Sequence, residues 1–133
     1  MNRRTILVVD DDSSVRMLLR RLLESQGWGV REVVNGSQAI ESCAREHPDL
    51  VILDLAMPAM NGLQAGRRIS QTNPALPMLL VSVEQVTRQL AKAAWDVGFQ
   101  GAVTKSKGTE VIQAVEAIFR GKTFFAVDES LAV

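Results

Sequence analysis

Four short apolar runs in this chain lead into residues that can do chemistry. Ile6–Val9 leads into Asp10-Asp11-Asp12, Leu50–Leu53 into Asp54, Met78–Val81 into Ser82, and Gly101–Thr104 into Lys105. Carboxylates gathered in one place repel each other, and a hard divalent cation with oxygen ligands resolves that repulsion. Mg²⁺ suits one or two carboxylates completed by a phosphate and waters. An aspartate can act as the nucleophile in phosphoryl transfer, giving an aspartyl phosphate. Such a transfer needs mainly alignment and neutralised charge. Lys105 can supply a second positive charge, and the Ser82 hydroxyl can donate to a phosphoryl oxygen.

These residues meet only if the apolar runs are strands delivered to one sheet edge. Each run is a few residues long and bounded by turn signals, as buried parallel strands are. Val30–Val34 is a weaker fifth member, and it ends in the turn Val34-Asn35-Gly36. Helical spacing fills the intervals: Val15, Leu18, Leu19 and Leu22; Ile40, Cys43 and Ala44 after a Ser37 cap; Val86, Leu90, Ala93, Ala94 and Val97, closed by Gly98; and Val111, Ile112, Val115, Ile118 and Phe119. Asn61–Ser70 is the weakest pattern. Five successive β-α units predict a doubly wound five-stranded parallel sheet with helices on both faces. Ligands of such sheets bind at the carboxyl ends of the strands.

Acids between a strand and a helix also serve as N-caps and dipole partners. That is the better account of Asp12 and Ser13, whereas Asp10 and Asp11 taken alone fit either account. Asp54 interrupts an apolar run, where a carboxylate is costly to bury without a partner or a purpose. The joint placement of acids, hydroxyl and ammonium at one edge is what favours chemistry.

The chain has 133 residues, enough for one ordinary domain with a core of its own. Its 15 basic and 15 acidic residues cancel, which argues against direct nucleic-acid binding by this domain and against attraction to an anionic membrane. The single cysteine, Cys43, excludes an intrachain disulfide and suits a reducing, cytoplasmic setting. No apolar stretch is long enough to span a membrane.

The segments Ile6–Asp11, Asp49–Pro58, Asn61-Gly62, Val81-Ser82 and Gly101–Lys105 together resemble the receiver domains of bacterial two-component response regulators, with the CheY-like, flavodoxin-like (βα)5 fold and strand order 2-1-3-4-5. The resemblance covers about residues 5–120 and places a receiver domain at 1–121, with 122–133 a C-terminal tail or the start of a linker. It implies Asp54 as phosphoacceptor and a sensor histidine kinase as donor. It implies a Mg²⁺ cofactor on Asp10, Asp11, Asp54 and the carbonyl of Ala56, with Ser82 and Lys105 contacting the phosphoryl group. Such a protein is no enzyme toward other substrates and catalyses only its own phosphorylation and dephosphorylation. Homodimerisation on phosphorylation and a DNA-binding output domain elsewhere belong to the same expectation.

The sequence departs from the family pattern at three places, Ala102, Ser106 and Asn61. Ala102 stands at an aromatic switch position, so a signal must travel by the backbone or the helix after Ser82. Ser106 stands where many members have a cis proline, and a cis bond here would cost about 3–4 kcal/mol, so a trans bond is expected. Asn61 replaces an acidic residue, one cap for another. Ser82-Val83 and Lys105-Ser106 are similar to NarL-type receivers. Ala56 offers no side-chain group to orient a water, from which slow self-dephosphorylation is expected.

A helix projected over Gln85–Val97 turns Trp95 outward with Arg88 and Lys92, either as an interface anchor or folded over its own surface. On the first helix Met17, Arg16, Arg20 and Arg21 form an outward face, either a kinase-docking surface or an ordinary solvated one. His47 reads as a C-terminal dipole partner and Cys43 as core. Three other kinds of protein could use such a sheet. A non-phosphorylated pseudo-receiver would keep the fold without the chemistry. A nucleotide- or flavin-binding enzyme would need a Gly-rich loop after the first strand, where this chain has acids. A haloacid-dehalogenase-like phosphatase would need a second Asp at the position of Ala56.

Overall fold

The computed structural model describes residues 3–129. Strands and helices alternate as β1 (Thr5–Val9), α1 (Ser13–Glu24), β2 (Gly29–Val33), α2 (Gly36–Glu46), β3 (Leu50–Asp54), α3 (Gly62–Thr72), β4 (Met78–Ser82), α4 (Arg88–Val97), β5 (Gly101–Thr104), α5 (Gly108–Phe119) and a two-residue β6 (Phe124–Phe125). The strands pair in parallel in the order β2-β1-β3-β4-β5-β6. The expected order 2-1-3-4-5 is present, and β6 extends it by one strand at the β5 edge.

Alternation along each strand divides the core between two faces. Leu7, Val9, Val51, Leu53, Met78 and Leu80 pack against Ala39 and Cys43 of α2, Ala65 and Ile69 of α3, and Ala94 of α4. Ile6, Val8, Leu50, Ile52, Leu79 and Val81 pack on the other face against Leu19 and Leu23 of α1 and Val111, Ala114 and Val115 of α5. Both layers are apolar, so the central strands read as continuous apolar runs rather than alternating ones.

Several local expectations are corrected. Leu18 does not join the inward stripe of α1; it is 64% exposed beside Met17 at 50%, and Leu19 and Leu23 are the buried positions. Ala44 is exposed, and α2 is capped by Asn35, whose side chain accepts from Gln38 N, rather than by Ser37. The helix after Ser82 starts at Arg88 with Thr87 as cap; Val86 is buried but lies in an extended segment bridged to Val127. All peptide bonds of the described residues are trans, including that before Ser106.

The C-terminal segment is ordered on the domain as far as Glu129; residues 130–133 of the expected tail lie outside the described residues. Phe124 N donates to Gln100 O and Ala126 N to Ala102 O, each at 2.9 Å. Asp128 N donates to Val86 O at 2.9 Å, and Arg88 pairs with Glu129. Trp95 is 56% exposed, and its ring meets Phe125 edge-on at 6.2 Å, so it is folded over its own surface on one side while the other remains open.

Candidate functional site

Four strand ends, those of β1, β3, β4 and β5, bring the candidate residues to the carboxyl edge of the sheet. Asp10 follows β1, and its N–H donates to Val33 O, which ties the exit of β1 to β2. Asp10 is 1% exposed and Asp54 2%, whereas Asp11 faces solvent. One carboxylate oxygen from each of the three lies within 4.8 Å of the others. Asp12 stands apart from this group as the N-cap of α1: its Oδ1 accepts from Ser14 N at 2.9 Å and from Ser14 Oγ at 2.6 Å. Those bonds hold its carboxyl below the usual range.

Lys105 follows β5, and its ammonium lies 2.7 Å from Asp10 Oδ2 and 2.9 Å from Asp54 Oδ1. Asp10 Oδ2 is buried and accepts no well-aligned hydrogen bond, and among the described residues its polar contact is with the ammonium. Asp10 Oδ1 accepts from Asp12 N at 2.9 Å. Burial pushes the Asp54 carboxyl up, and the Asp10 charge adds to the push against the opposing pull of Lys105. Burial alone would lower Lys105, but its contacts with Asp10 and Asp54 outweigh this and raise it.

The register sets Asp54 beside Val81 and Ser82 beside Thr104. Ser82 therefore lies one step beyond Asp54 on the neighbouring strand. Its Oγ accepts from Glu84 N at 3.2 Å, which leaves the hydroxyl proton available to a ligand. Ser82 O accepts from Lys105 N at 2.7 Å, joining the two strand ends. Ala56 is exposed, and its N–H donates to Asp54 Oδ1 over a long 3.4 Å. Gly62 opens α3 directly on the backbone of Asp54: a Cβ there would fall inside contact distance of the Asp54 carbonyl. Asn61 caps the same helix in a reciprocal box with Gln64.

The donors suit a hard divalent ion. They are oxygen carboxylates, two of them buried, and one buried oxygen accepts no hydrogen bond among the described residues and faces the Lys105 ammonium. An open hollow of about 460 Å³ beside them is lined by Asp11, Val34, Asn35, Gly36, Pro58 and Met60. A larger hollow along β2 and α2 is lined by none of the three carboxylates.

Since the Asp54 carboxyl is raised, its charged form destabilises the fold as pH rises from the ordinary carboxylate range through the raised value. Asp54→Asn should therefore be the more stable protein at neutral pH, by on the order of 1 kcal/mol. The gap should close in acid, as thermal melts across pH in a metal-free buffer would record. Equal melting temperatures at neutral pH would contradict the assignment.

Sequence reasoning placed Arg16 and Arg20 on an outward basic face. The structure instead turns both toward Glu32 of β2: Arg16 Nε lies 3.0 Å from Oε1 and Arg20 Nε 2.5 Å from Oε2. A glutamate inside the weak strand Val30–Val34 was the available signal, since a charge in a half-buried strand calls for a partner.

A parallel sheet with acids after its first and third strands, a hydroxyl after the fourth and a lysine after the fifth defines a receiver-type α/β domain. A family model described as the response regulator receiver domain matches residues 6–116, and the chain belongs to that family. Among curated relatives, it is 32% identical over 125 residues to a probable transcriptional regulatory protein, TcrX, of Mycobacterium tuberculosis, covering 93% of this chain and 53% of that one. It is 34% identical to the response regulator MprA of Mycobacterium leprae, covering 86% of this chain and 50% of that protein. The chain thus spans about half the length of these relatives. A solved LuxR-family two-component response regulator from an Aurantimonas species superposes with a TM-score of 0.89 at 34% identity, covering 94% of this chain and 91% of that one. The chemotaxis protein CheY4 of Vibrio cholerae, at 21% identity and a TM-score of 0.80 over 86% of this chain and 98% of that one, shares the fold. No helix among the described residues is long and apolar enough to cross a membrane.

Proposed function

We propose that Asp54 accepts a phosphoryl group from a sensor histidine kinase in a Mg²⁺-dependent transfer, and that the aspartyl phosphate switches the domain's protein contacts. The observation that carries this reading is the triad Asp10, Asp11 and Asp54 within 4.8 Å, with the Lys105 ammonium bridging Asp10 and Asp54. An Asp54 oxygen attacks phosphorus in line; the O–P bond forms as the P–N bond to the donor histidine breaks, and the imidazole leaves with the bonding pair.

Asp10, Asp11, Asp54 and the main-chain carbonyl of Ala56 would hold the ion. Mg²⁺ bound there supplies positive charge against crowded carboxylate and phosphoryl oxygens. Lys105 transfers its ammonium from Asp54 Oδ1 to a phosphoryl oxygen. Ser82 donates its hydroxyl to another, drawing on the loop through Glu84 N. That loop leads into Val86 and α4, which are bound to the C-terminal segment, so movement of Ser82 has a direct path outward. A probable transcriptional regulator among the relatives suits an output domain that binds DNA in a longer protein, and phosphorylation would favour a homodimer of it.

Incubation with acetyl phosphate and Mg²⁺ followed by intact mass should show one added phosphoryl group in the wild type and none in Asp54→Ala. No gain in the wild type, together with no Mg²⁺ binding, would make this a non-phosphorylated interaction module. Once formed, the phosphate should be lost slowly, because Ala56 presents no group to an attacking water. Ala56→Asn should shorten its half-life severalfold, and an unchanged half-life would count against that role.

A further inference from the structure

The acidic turn is held by a side chain that touches none of its carboxylates. Arg16, in the first turns of α1, donates from Nη1 to the main-chain carbonyl of Asp10 at 2.7 Å. That carbonyl belongs to the peptide plane joining Asp10 to Asp11. Because the peptide is rigid, fixing the plane fixes ψ of Asp10 and φ of Asp11 together. The plane therefore constrains the relative directions of the Cα–Cβ bonds that carry the two carboxylates.

The guanidinium is itself anchored. Its Nε donates to Glu32 Oε1 at 3.0 Å, and Arg20 grips the other Glu32 oxygen at 2.5 Å. Arg20 also reaches Glu24 at 3.1 Å. The Arg16 side chain is 15% exposed, so it is confined between β2 and the turn. A planar fork can serve a carboxylate and a carbonyl at once, which a lysine ammonium cannot do in this geometry. Asp10 has a second restraint in the bond from Asp12 N to its Oδ1. The Asp11 carboxylate, by contrast, is exposed, and no hydrogen bond or ion pair to it is found among the described residues. Apart from its own rotamers, only the backbone directs it.

We infer that Arg16, buttressed by Glu32, is a positioning residue for the cation site: by clamping the Asp10–Asp11 peptide it presents the two carboxylates in a ligand-ready arrangement. The inference rests on the reading of Asp10, Asp11 and Asp54 as Mg²⁺ ligands. It assigns work to residues that neither contact the ion nor the phosphoryl group. Groups that orient ligands in this way typically change metal affinity by about 10–100-fold when removed.

The test is calorimetric titration of Mg²⁺ into the phosphate-free protein, with a metal-free thermal melt as control. Arg16→Met should raise the Mg²⁺ dissociation constant by about 10-fold or more. Arg16→Lys should recover only part of the loss. Glu32→Gln leaves the bond to the Asp10 carbonyl in place but loosens its anchor, and should weaken Mg²⁺ severalfold. A purely structural Arg16 would lower the melting temperature and leave the dissociation constant of the folded protein unchanged. A dissociation constant within twofold of wild type in folded Arg16→Met overturns the inference. Should that variant not fold, an unchanged constant in Glu32→Gln overturns it instead. Absence of Mg²⁺ binding by the wild type would remove the underlying reading, and this inference with it.

Discussion

Lys105→Met should unfold about 3 kcal/mol more easily than wild type in metal-free buffer, and millimolar Mg²⁺ should restore most of the loss. The variant keeps the length of the side chain and removes its charge. Asp10 and Asp54 are then left facing each other in the interior, with the buried Asp10 Oδ2 stripped of its contact with the ammonium. Removing one partner of a buried ionic cluster costs about 3–5 kcal/mol, because the remaining charge is neither solvated nor paired.

The pH dependence follows from the same pair. The folded Lys105 pKa is raised, so its contribution is present at neutral pH and is lost only as pH climbs through that raised value. In the variant a carboxyl must take up a proton to survive burial, so metal-free stability should fall as pH rises from acid toward neutrality. A divalent ion replaces the missing charge and stabilises by mass action. Denaturant melts with and without Mg²⁺ at two pH values measure this. A wild-type-like metal-free melt would mean that the ammonium is not what holds the carboxylates together.

Phe99→Ala should cost about 3–5 kcal/mol, the range for truncating a fully buried aromatic ring. Its melting temperature should fall by roughly 10–20 °C. Phe99 is 0% exposed and sits in the turn between α4 and β5, where Gly98 takes φ 124° and the Phe99 N–H returns to Ala94 O at 2.9 Å. The ring occupies the space that Gly66 leaves open on α3: a Cβ on Gly66 would stand 2.5 Å from Phe99 Cζ. Gly66→Ala should therefore be destabilising in its own right, by about 1–3 kcal/mol of overpacking.

The two positions should couple. In Gly66→Ala/Phe99→Leu the added methyl enters volume vacated by the ring, so the double variant should be about 1–2 kcal/mol better than the sum of its parts. Strict additivity in a double-mutant cycle would contradict the contact. The effect bears on the site because α3 begins at Gly62 on the backbone of Asp54, and Phe99 secures the same helix farther along.

Most of the architecture was legible because the central strands are buried on both faces and their apolar runs stand out between turns. The carboxyl-edge residues were legible for the same reason: each run names its own end. The elements that misled were those whose burial depends on a distant partner. Leu18 fits the helical spacing of α1 yet lies outside, since the face that α1 buries is centred on Leu19 and Leu23. Val86 fits a helical stripe but is held extended by Val127, a contact that no local pattern encodes. Arg16 read as surface charge because its two acceptors, the Asp10 carbonyl and Glu32, lie on β1 and β2 rather than on its own helix. The resemblance supplied roles for Asp10, Asp11, Asp54, Ser82 and Lys105; the geometry shows their proximity and leaves the roles to the experiments above.

The two residues of β6 also decide where this domain can be cut. With the N–H groups of Phe124, Ala126 and Asp128 in place, the carbonyls of Gln100, Ala102 and Val86 are all occupied from within the same chain. A fragment ending at Gly121 would strip them and leave the β5 edge bare, beside a Trp95 that has lost Phe125. A naked strand edge next to an uncovered aromatic invites pairing with another molecule. Recombinant fragments should therefore run to Glu129 at least, and a shorter one that self-associates would be reporting its own boundary rather than a regulated assembly.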